Sequence, residues 1–114
     1  MELKVGMYVR TNYRKEKVIR KIVKIVEDPS AHDHYLIFDK PTRYTYYVED
    51  KNFIAKKDAI DLIEVGDYVN GYRVTYVYPN LIKVDSTDIW EIHSHDIKSI
   101  VTKEQFESIK YEVE

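Results

Sequence analysis

The chain has 114 residues, enough for one average domain or two very small ones. An apolar content of 44% beside 33% charged residues excludes a disordered chain or a collagen-like fibre, and 18 basic against 20 acidic residues leave a net charge of −2, too balanced to mark a nucleic-acid binder by itself. No cysteine is present, which removes disulfides, thiolate metal sites and cysteine nucleophiles together.

In chain order, MELKVGMYVR lacks the apolar core of a signal peptide, and no later run has the length and apolarity of a membrane span. A cytoplasmic protein without membrane contact is therefore expected. Val5, Met7 and Val9 alternate with other residues, the period-two pattern of a half-buried strand. A basic stretch follows over 10–24, containing Arg10, Arg14, Lys15, Lys17, Arg20, Lys21 and Lys24, with Tyr13 among them and Glu16 as its only acid. It reads as a long hairpin. Asp28-Pro29-Ser30 and Lys40-Pro41-Thr42 are turn signals on either side of the strand YLIFD at 35–39. The segment PTRYTYYVED then supplies a tyrosine-rich strand, and Asp58-Ala59-Ile60 a single turn before a last strand.

The second half begins with IEVGDYV at 63–69. Asn70-Gly71 is the dipeptide favoured by type I′ hairpins, since both residues tolerate positive φ. Strands are expected in YRVTYVY and, after Pro79-Asn80, in LIKVD. Ile89 and Glu91 alternate with Trp90 and Ile92, which assigns Trp90, the only tryptophan, to the core. Asp96-Ile97-Lys98 reads as another single turn. Thr102-Lys103-Glu104-Gln105 has the form of a capping box, and Phe106 and Ile109 give a short helix over 103–110 one apolar side.

The chain also repeats itself. Val5, Gly6, Tyr8 and Val9 recur as Val65, Gly66, Tyr68 and Val69, so two of only three glycines hold the same place twice. Ile22 and Ile25 align with Val74 and Val77, and YLIFD with LIKVD. FIAKKDAIDLI at 53–63 aligns with EIHSHDIKSIV at 91–101, pairing Asp58 with Asp96 and Leu62 with Ile100. An internal duplication follows, with copy one over 1–62 and copy two over 63–114. Extra residues of copy one fall in loops around 10–17, 27–34 and 40–46.

About five short strands per copy, with a turn before the last, resemble a small SH3-like barrel of the KOW or Tudor type. The expected fold is mainly β: two tandem SH3-like barrels and a short C-terminal helix. The run DLIEVGDYVNGYRV, followed by IVTKEQFESIKYEV, resembles small uncharacterised proteins encoded by phages and prophages of Firmicutes. That resemblance covers the last half of the chain. It implies a mobile-element origin and residence in a host cytoplasm, and carries no activity.

Three surfaces stand out. Arg10, Arg14, Lys15, Lys17, Arg20, Lys21 and Lys24 would neutralise phosphates while Tyr13 stacks on a base; a solvated hairpin guarding a sheet edge is the alternative. Tyr44, Tyr46 and Tyr47, and Tyr72, Tyr76 and Tyr78, form two aromatic strand segments whose i, i+2 pairs suit a protein partner, or only the half-buried faces of a small barrel. All four histidines lie in H-x-H pairs, His32 with His34 and His93 with His95, a weak metal pattern that zinc or nickel would fit best. Charge is polarised as well: residues 1–60 hold 13 basic and 9 acidic side chains, and residues 61–114 hold 5 and 11. Such a split suits a charged partner or head-to-tail pairing of two copies into a homodimer.

Catalytic signatures are missing: no phosphate-cradling glycine loop, G-x-S-x-G or H-E-x-x-H occurs, and Glu27-Asp28 and Glu49-Asp50 fall in expected loops. The reading is a non-enzymatic binding protein of phage type, without cofactor, that captures a host or phage protein. Inhibition of a host defence nuclease, in the manner of an anti-CRISPR protein, is one form of that reading. A nucleic-acid-binding module using the hairpin 10–24 is the alternative.

Overall fold

The computed structural model describes residues 2–107. Ten strands form two five-stranded antiparallel sheets. In the first, β1 (Tyr8–Thr11), β2 (Ile19–Asp28), β3 (Asp33–Phe38), β4 (Tyr46–Tyr47) and β5 (Phe53–Lys56) lie in the order β4-β3-β2-β1-β5. In the second, β6 (Tyr68–Val69), β7 (Tyr72–Val77), β8 (Leu81–Val84), β9 (Glu91–His93) and β10 (Ile100–Val101) lie in the order β10-β6-β7-β8-β9. Each sheet therefore sets its last strand beside its first, and the other three follow in sequence. Neither sheet closes, in contrast to the closed barrels expected. Two-residue strands such as β4 and β10 carry too few backbone donors to bridge one edge to the other.

Each sheet is entered through a glycine. Gly6 and Gly66 have φ of +97° and +98°, a conformation that a Cβ would strain. Their N–H groups donate to the carbonyls of Ile22 and Val74, and the next residues, Met7 and Asp67, donate to Lys4 and Glu64. The V-G-x-Y-V motif is therefore a turn feeding a strand rather than a strand throughout. Val5 and Val65 are exposed on that turn, so the expected Val5-Met7-Val9 stripe begins only at Met7. Later, the register shifts between Ile22 and Lys24 in β2 and between Val74 and Tyr76 in β7, a bulge that bends each long strand.

The first core packs Met7, Val9, Ile22, Leu36, Phe38 and Tyr46. The second packs Val69, Val74, Ile82, Val84 and Ile92 with Ile60, Leu62 and Ile63 from the connecting segment and Ile19 from β2. With smaller side chains on its own strands, the second sheet completes its core from outside. That import fastens the two sheets together through burial of apolar surface.

The register corrects the alignment of the last third. Leu36 faces Tyr46 and Ile82 faces Ile92, so residues 92–96 stand where 46–50 stand in the first sheet. The 3-10 turns Val48–Asp50 and Ser94–Asp96 each precede a last strand. The turn Ala59–Leu62 instead follows β5 and connects the sheets, so Asp58 and Asp96 are not counterparts. Asn70 and Gly71, with φ of +52° and +87°, make the expected two-residue hairpin. The capping box forms as read: the Thr102 N–H donates to Gln105 Oε1 at 2.9 Å, and the Gln105 N–H to Thr102 Oγ1 at 3.2 Å. A helix runs over 103–107, and the remainder of the expected segment 103–110 lies outside the described residues. Among those residues no helix is long and apolar enough to cross a membrane.

Candidate functional site

The basic hairpin exists, since β1 pairs with β2, but its first cation is committed to the fold. Arg10 is 6% exposed; it donates to both carboxylate oxygens of the fully buried Asp67, at 2.6 and 3.1 Å, and to the Leu62 carbonyl at 3.0 Å. Glu64 at 3.4 Å and Glu104 at 3.3 Å complete the acidic surround. Burial alone would lower the Arg10 pKa. The Asp67 hydrogen bond and charge, with Glu64 and Glu104 behind them, outweigh it and raise the pKa. A guanidinium so enclosed has no donor to offer a phosphate, which removes Arg10 from the expected contact set.

Tyr13 is engaged too. Its ring meets Tyr44 edge-on at 4.9 Å and Tyr46 at 6.4 Å, and Arg14 lies over both Tyr13 and Tyr44. Glu16 turns inward and accepts the Tyr46 hydroxyl at 2.8 Å and the Arg43 N–H at 2.6 Å. The loop between β1 and β2 is thus a cap on the end of the first sheet. Its exposed cations are Arg14 and Lys15 at the tip and Lys21 and Lys24 on β2, with Lys17 and Arg20 half-buried.

The two tyrosine groups part ways. Tyr46 is a core residue, Tyr44 packs against that core, and Tyr47 donates its hydroxyl to Asp28 at 2.9 Å. These three do not form the partner-facing stripe expected of them, because β4 is only two residues long and the loop cap covers it. Tyr72 packs against the second core. Tyr76 and Tyr78 remain, 55% and 39% exposed, with ring centroids 4.7 Å apart. Pairing sets Tyr76 opposite Lys83 and Lys83 opposite Glu91, so these three share one face, while Val77, Ile82 and Ile92 share the buried one. Lys83 also lies over the Tyr78 ring at 5.7 Å. Trp90 corrects its assignment to the core, being 70% exposed beside exposed Ile89. By register it stands where Tyr44 stands in the first sheet. Tyr44 is covered by the loop carrying Tyr13, whereas the Asn70-Gly71 turn is too short to cover Trp90.

Between the sheets lies a cleft of about 690 Å³, missed in the sequence because its walls come from distant segments. Tyr8, Ile19, Ile60, Ile97 and Ile100 supply apolar surface, and Arg20, Lys21, Lys40 and Lys98 supply cations. Asp67 was missed as well. Its signal was the single change from V-G-Met7-Y-V to V-G-Asp67-Y-V between otherwise matching motifs.

The histidines do not converge. His32, at φ +53°, sits in the turn before β3, and His34 is exposed just inside β3. His93 and His95 belong to the other sheet, their rings stacked at 5.9 Å, with His95 3.5 Å from Asp96. Among the described residues no three His, Asp or Glu side chains are grouped to hold a metal ion.

Compared with protein-family models, curated proteins and solved structures, the chain matches none.

Proposed function

We propose that the chain is a non-catalytic binding module that captures a protein partner on the outer face of its second sheet. The observation that carries this reading is the exposed, ring-to-ring pair Tyr76 and Tyr78, backed by Lys83. Tyrosines on a rigid strand bring large contact area with little entropy to lose on binding, and their hydroxyls remain free for polar contacts. Ile89, in phase with Glu91 and 41% exposed, lies two residues before it on that side of the chain.

The two sheets are read as duplicated SH3-like units. Support comes from their common strand order, the matched glycine turns, the bulges in β2 and β7, and a 3-10 turn before each last strand. On this view the first copy is capped by its own loop, and the second leaves the corresponding end open for a partner. The acidic excess of the second half favours a basic surface on that partner. A nuclease of the host's defence presents such a surface, in keeping with a phage-type adaptor.

The test is capture from bacterial lysate on immobilised protein, with and without nuclease treatment. A captured protein that survives nuclease treatment, and is lost with Tyr76→Ser/Tyr78→Ser but kept with Arg14→Glu/Lys15→Glu, is the expected result. Capture unchanged by the tyrosine substitutions overturns the reading. Loss on nuclease treatment would transfer the function to nucleic acid.

A further inference from the structure

We infer that the cleft between the sheets is a binding site for a phosphate-bearing nucleoside ligand, either a free nucleotide or a unit of a single strand. Its cations come from separate parts of the chain: Arg20 and Lys21 from β2, Lys40 from the segment after β3, and Lys98 from the segment before β10. Among the described residues none of the four has an acidic partner at ion-pair distance. Asp39, Asp58 and Asp61 line the same cleft, so its four cations exceed its acids by one, and with none of the four held in an ion pair they remain available to an anion.

Arg20 adds a more specific observation. One terminal nitrogen donates to the Ile19 carbonyl at 3.0 Å, while its Nε is buried without a partner. A buried donor left unsatisfied is costly, and a guanidinium presents its donors as a fork suited to the oxygens of a phosphate. Nε itself is too enclosed to touch a ligand; Nη2, which has no protein partner among the described residues, is the donor from which, with the flanking lysines, a phosphate in the cleft would accept.

The rest of the cleft argues for more than inorganic phosphate. Tyr8 and the isoleucines 19, 97 and 100 provide apolar surface against which a planar base can lie, and Lys21 already stands 5.9 Å over the Tyr8 ring. Asp58 and Asp61, on the same wall and without ion-pair partners among the described residues, can accept from sugar hydroxyls or base amino groups. A polyphosphate would find only repulsion at those carboxylates. Neither Tyr76 nor Tyr78 lines this cleft, although Pro79, which follows Tyr78 in the chain, does.

The experiment is a titration of isotope-labelled protein, followed by amide chemical shifts, with ATP, pyrophosphate and a short oligothymidylate as separate probes. Shifts confined to residues 8, 19–21, 39–40, 58–61, 79–80 and 94–100 are expected, stronger for a nucleoside-bearing probe than for pyrophosphate. Preference for ATP identifies a free nucleotide, and preference for the oligothymidylate a strand; either supports the site. Lys98→Gln, at an exposed position, and Arg20→Gln are each expected to weaken binding by about tenfold, the loss of one charge-assisted contact. Arg14→Gln/Lys15→Gln at the hairpin tip should leave binding within about twofold, since that change corresponds to well under one such contact. Urea unfolding of Arg20→Gln separates a folding defect from a binding one. No shifts at millimolar probe, equal response to pyrophosphate, or dependence on the hairpin tip instead of Lys98 would overturn the inference. Tyr76→Ser/Tyr78→Ser should bind these probes unchanged, so failure here is distinguishable from failure of protein capture.

Discussion

Arg10 in the first sheet and Asp67 at the entry to the second share a two-point hydrogen-bonded ion pair across 57 positions of sequence, with the carboxylate fully buried. Asp67 also accepts the N–H of Glu64 at 2.8 Å and of Lys103 at 2.9 Å. One side chain thereby ties together the connecting segment, the second sheet and the start of the C-terminal helix. In the first sheet, Met7 holds the same position, with the Lys4 N–H 3.3 Å from its sulfur. The turn is common to both sheets; the charge is particular to the second.

Arg10→Met should therefore cost about 3–5 kcal/mol, because it leaves a buried carboxylate without its counter-charge. Asp67→Met installs the residue found at the matching place in the first sheet, but removes the two-point partner of Arg10 and leaves it only Glu64, Glu104 and the Leu62 carbonyl. The double substitution removes both charges and should be closer to the wild type than the two separate losses combined. Urea unfolding of all four proteins gives the coupling directly. Losses that add to within about 0.5 kcal/mol would show that the pair is not coupled.

How much of this was legible in the sequence can be followed at single residues. Alternation and turn dipeptides revealed the strands, and Asn70-Gly71 formed the hairpin its backbone preferences require. The matched glycines marked the entry to each sheet, although as a turn rather than as strand. Arg10 was misread because local composition groups it with exposed neighbours, while its partners are supplied from 64, 67 and 104. Tyr46 was misread for a similar reason: strand phase says which residues share a face, not which face is covered. The cleft was illegible because no local pattern contains a concavity built from six segments.

The entry turns make a second prediction. Gly6→Ala and Gly66→Ala should each destabilise by about 1–3 kcal/mol, since both impose a side chain on a positive φ near 97°. A Cβ at Gly6 would meet nothing within 4 Å, whereas one at Gly66 would lie 3.4 Å from the Lys103 side chain. That methylene can move, and the exposed Lys103–Glu64 pair it would disturb is worth little. The two losses should consequently agree to within about 0.5 kcal/mol in thermal or urea unfolding, with backbone strain the common cause. A much larger loss at Gly66 would point to packing instead.

Tyr46 predicts a signature at alkaline pH. Burial first, then the hydrogen bond to Glu16, pushes its hydroxyl pKa well above the ordinary tyrosine value. A group whose pKa is raised by folding contributes fully below the unfolded value, about 10 for tyrosine, and loses that contribution as pH rises through the folded value. Tyrosinate absorbance should show one tyrosine ionising late, together with unfolding. Tyr46→Phe should abolish that late step and flatten the fall in stability above about pH 10. Persistence of the late step in Tyr46→Phe would assign it to another tyrosine.

Thr102 joins the helix start to the first sheet. Its hydroxyl caps the Gln105 N–H and donates to the Lys17 carbonyl. Thr102→Ala removes both contacts at a fully buried position and should cost about 1–2 kcal/mol, while Thr102→Ser, which keeps the oxygen, should recover most of it. Equal losses for alanine and serine in urea unfolding would place the contribution in the methyl group.

The last prediction concerns Trp90, which reports on its own environment because it is the chain's only tryptophan. Tyr44, its counterpart by register, is shielded by Tyr13 and Arg14 from the loop between β1 and β2. The two-residue turn Asn70-Gly71 leaves Trp90 without such a shield. Fluorescence of the folded protein should resemble that of tryptophan in water, be quenched freely by iodide, and shift little on unfolding. A blue-shifted, protected emission would mean that Trp90 is covered, contrary to its exposure here. If the open end of the second sheet takes part in partner capture, adding the captured protein should shift the emission to the blue and slow quenching. Trp90→Ser should then weaken capture while leaving the urea midpoint within the change expected of a surface substitution, about 0.5 kcal/mol.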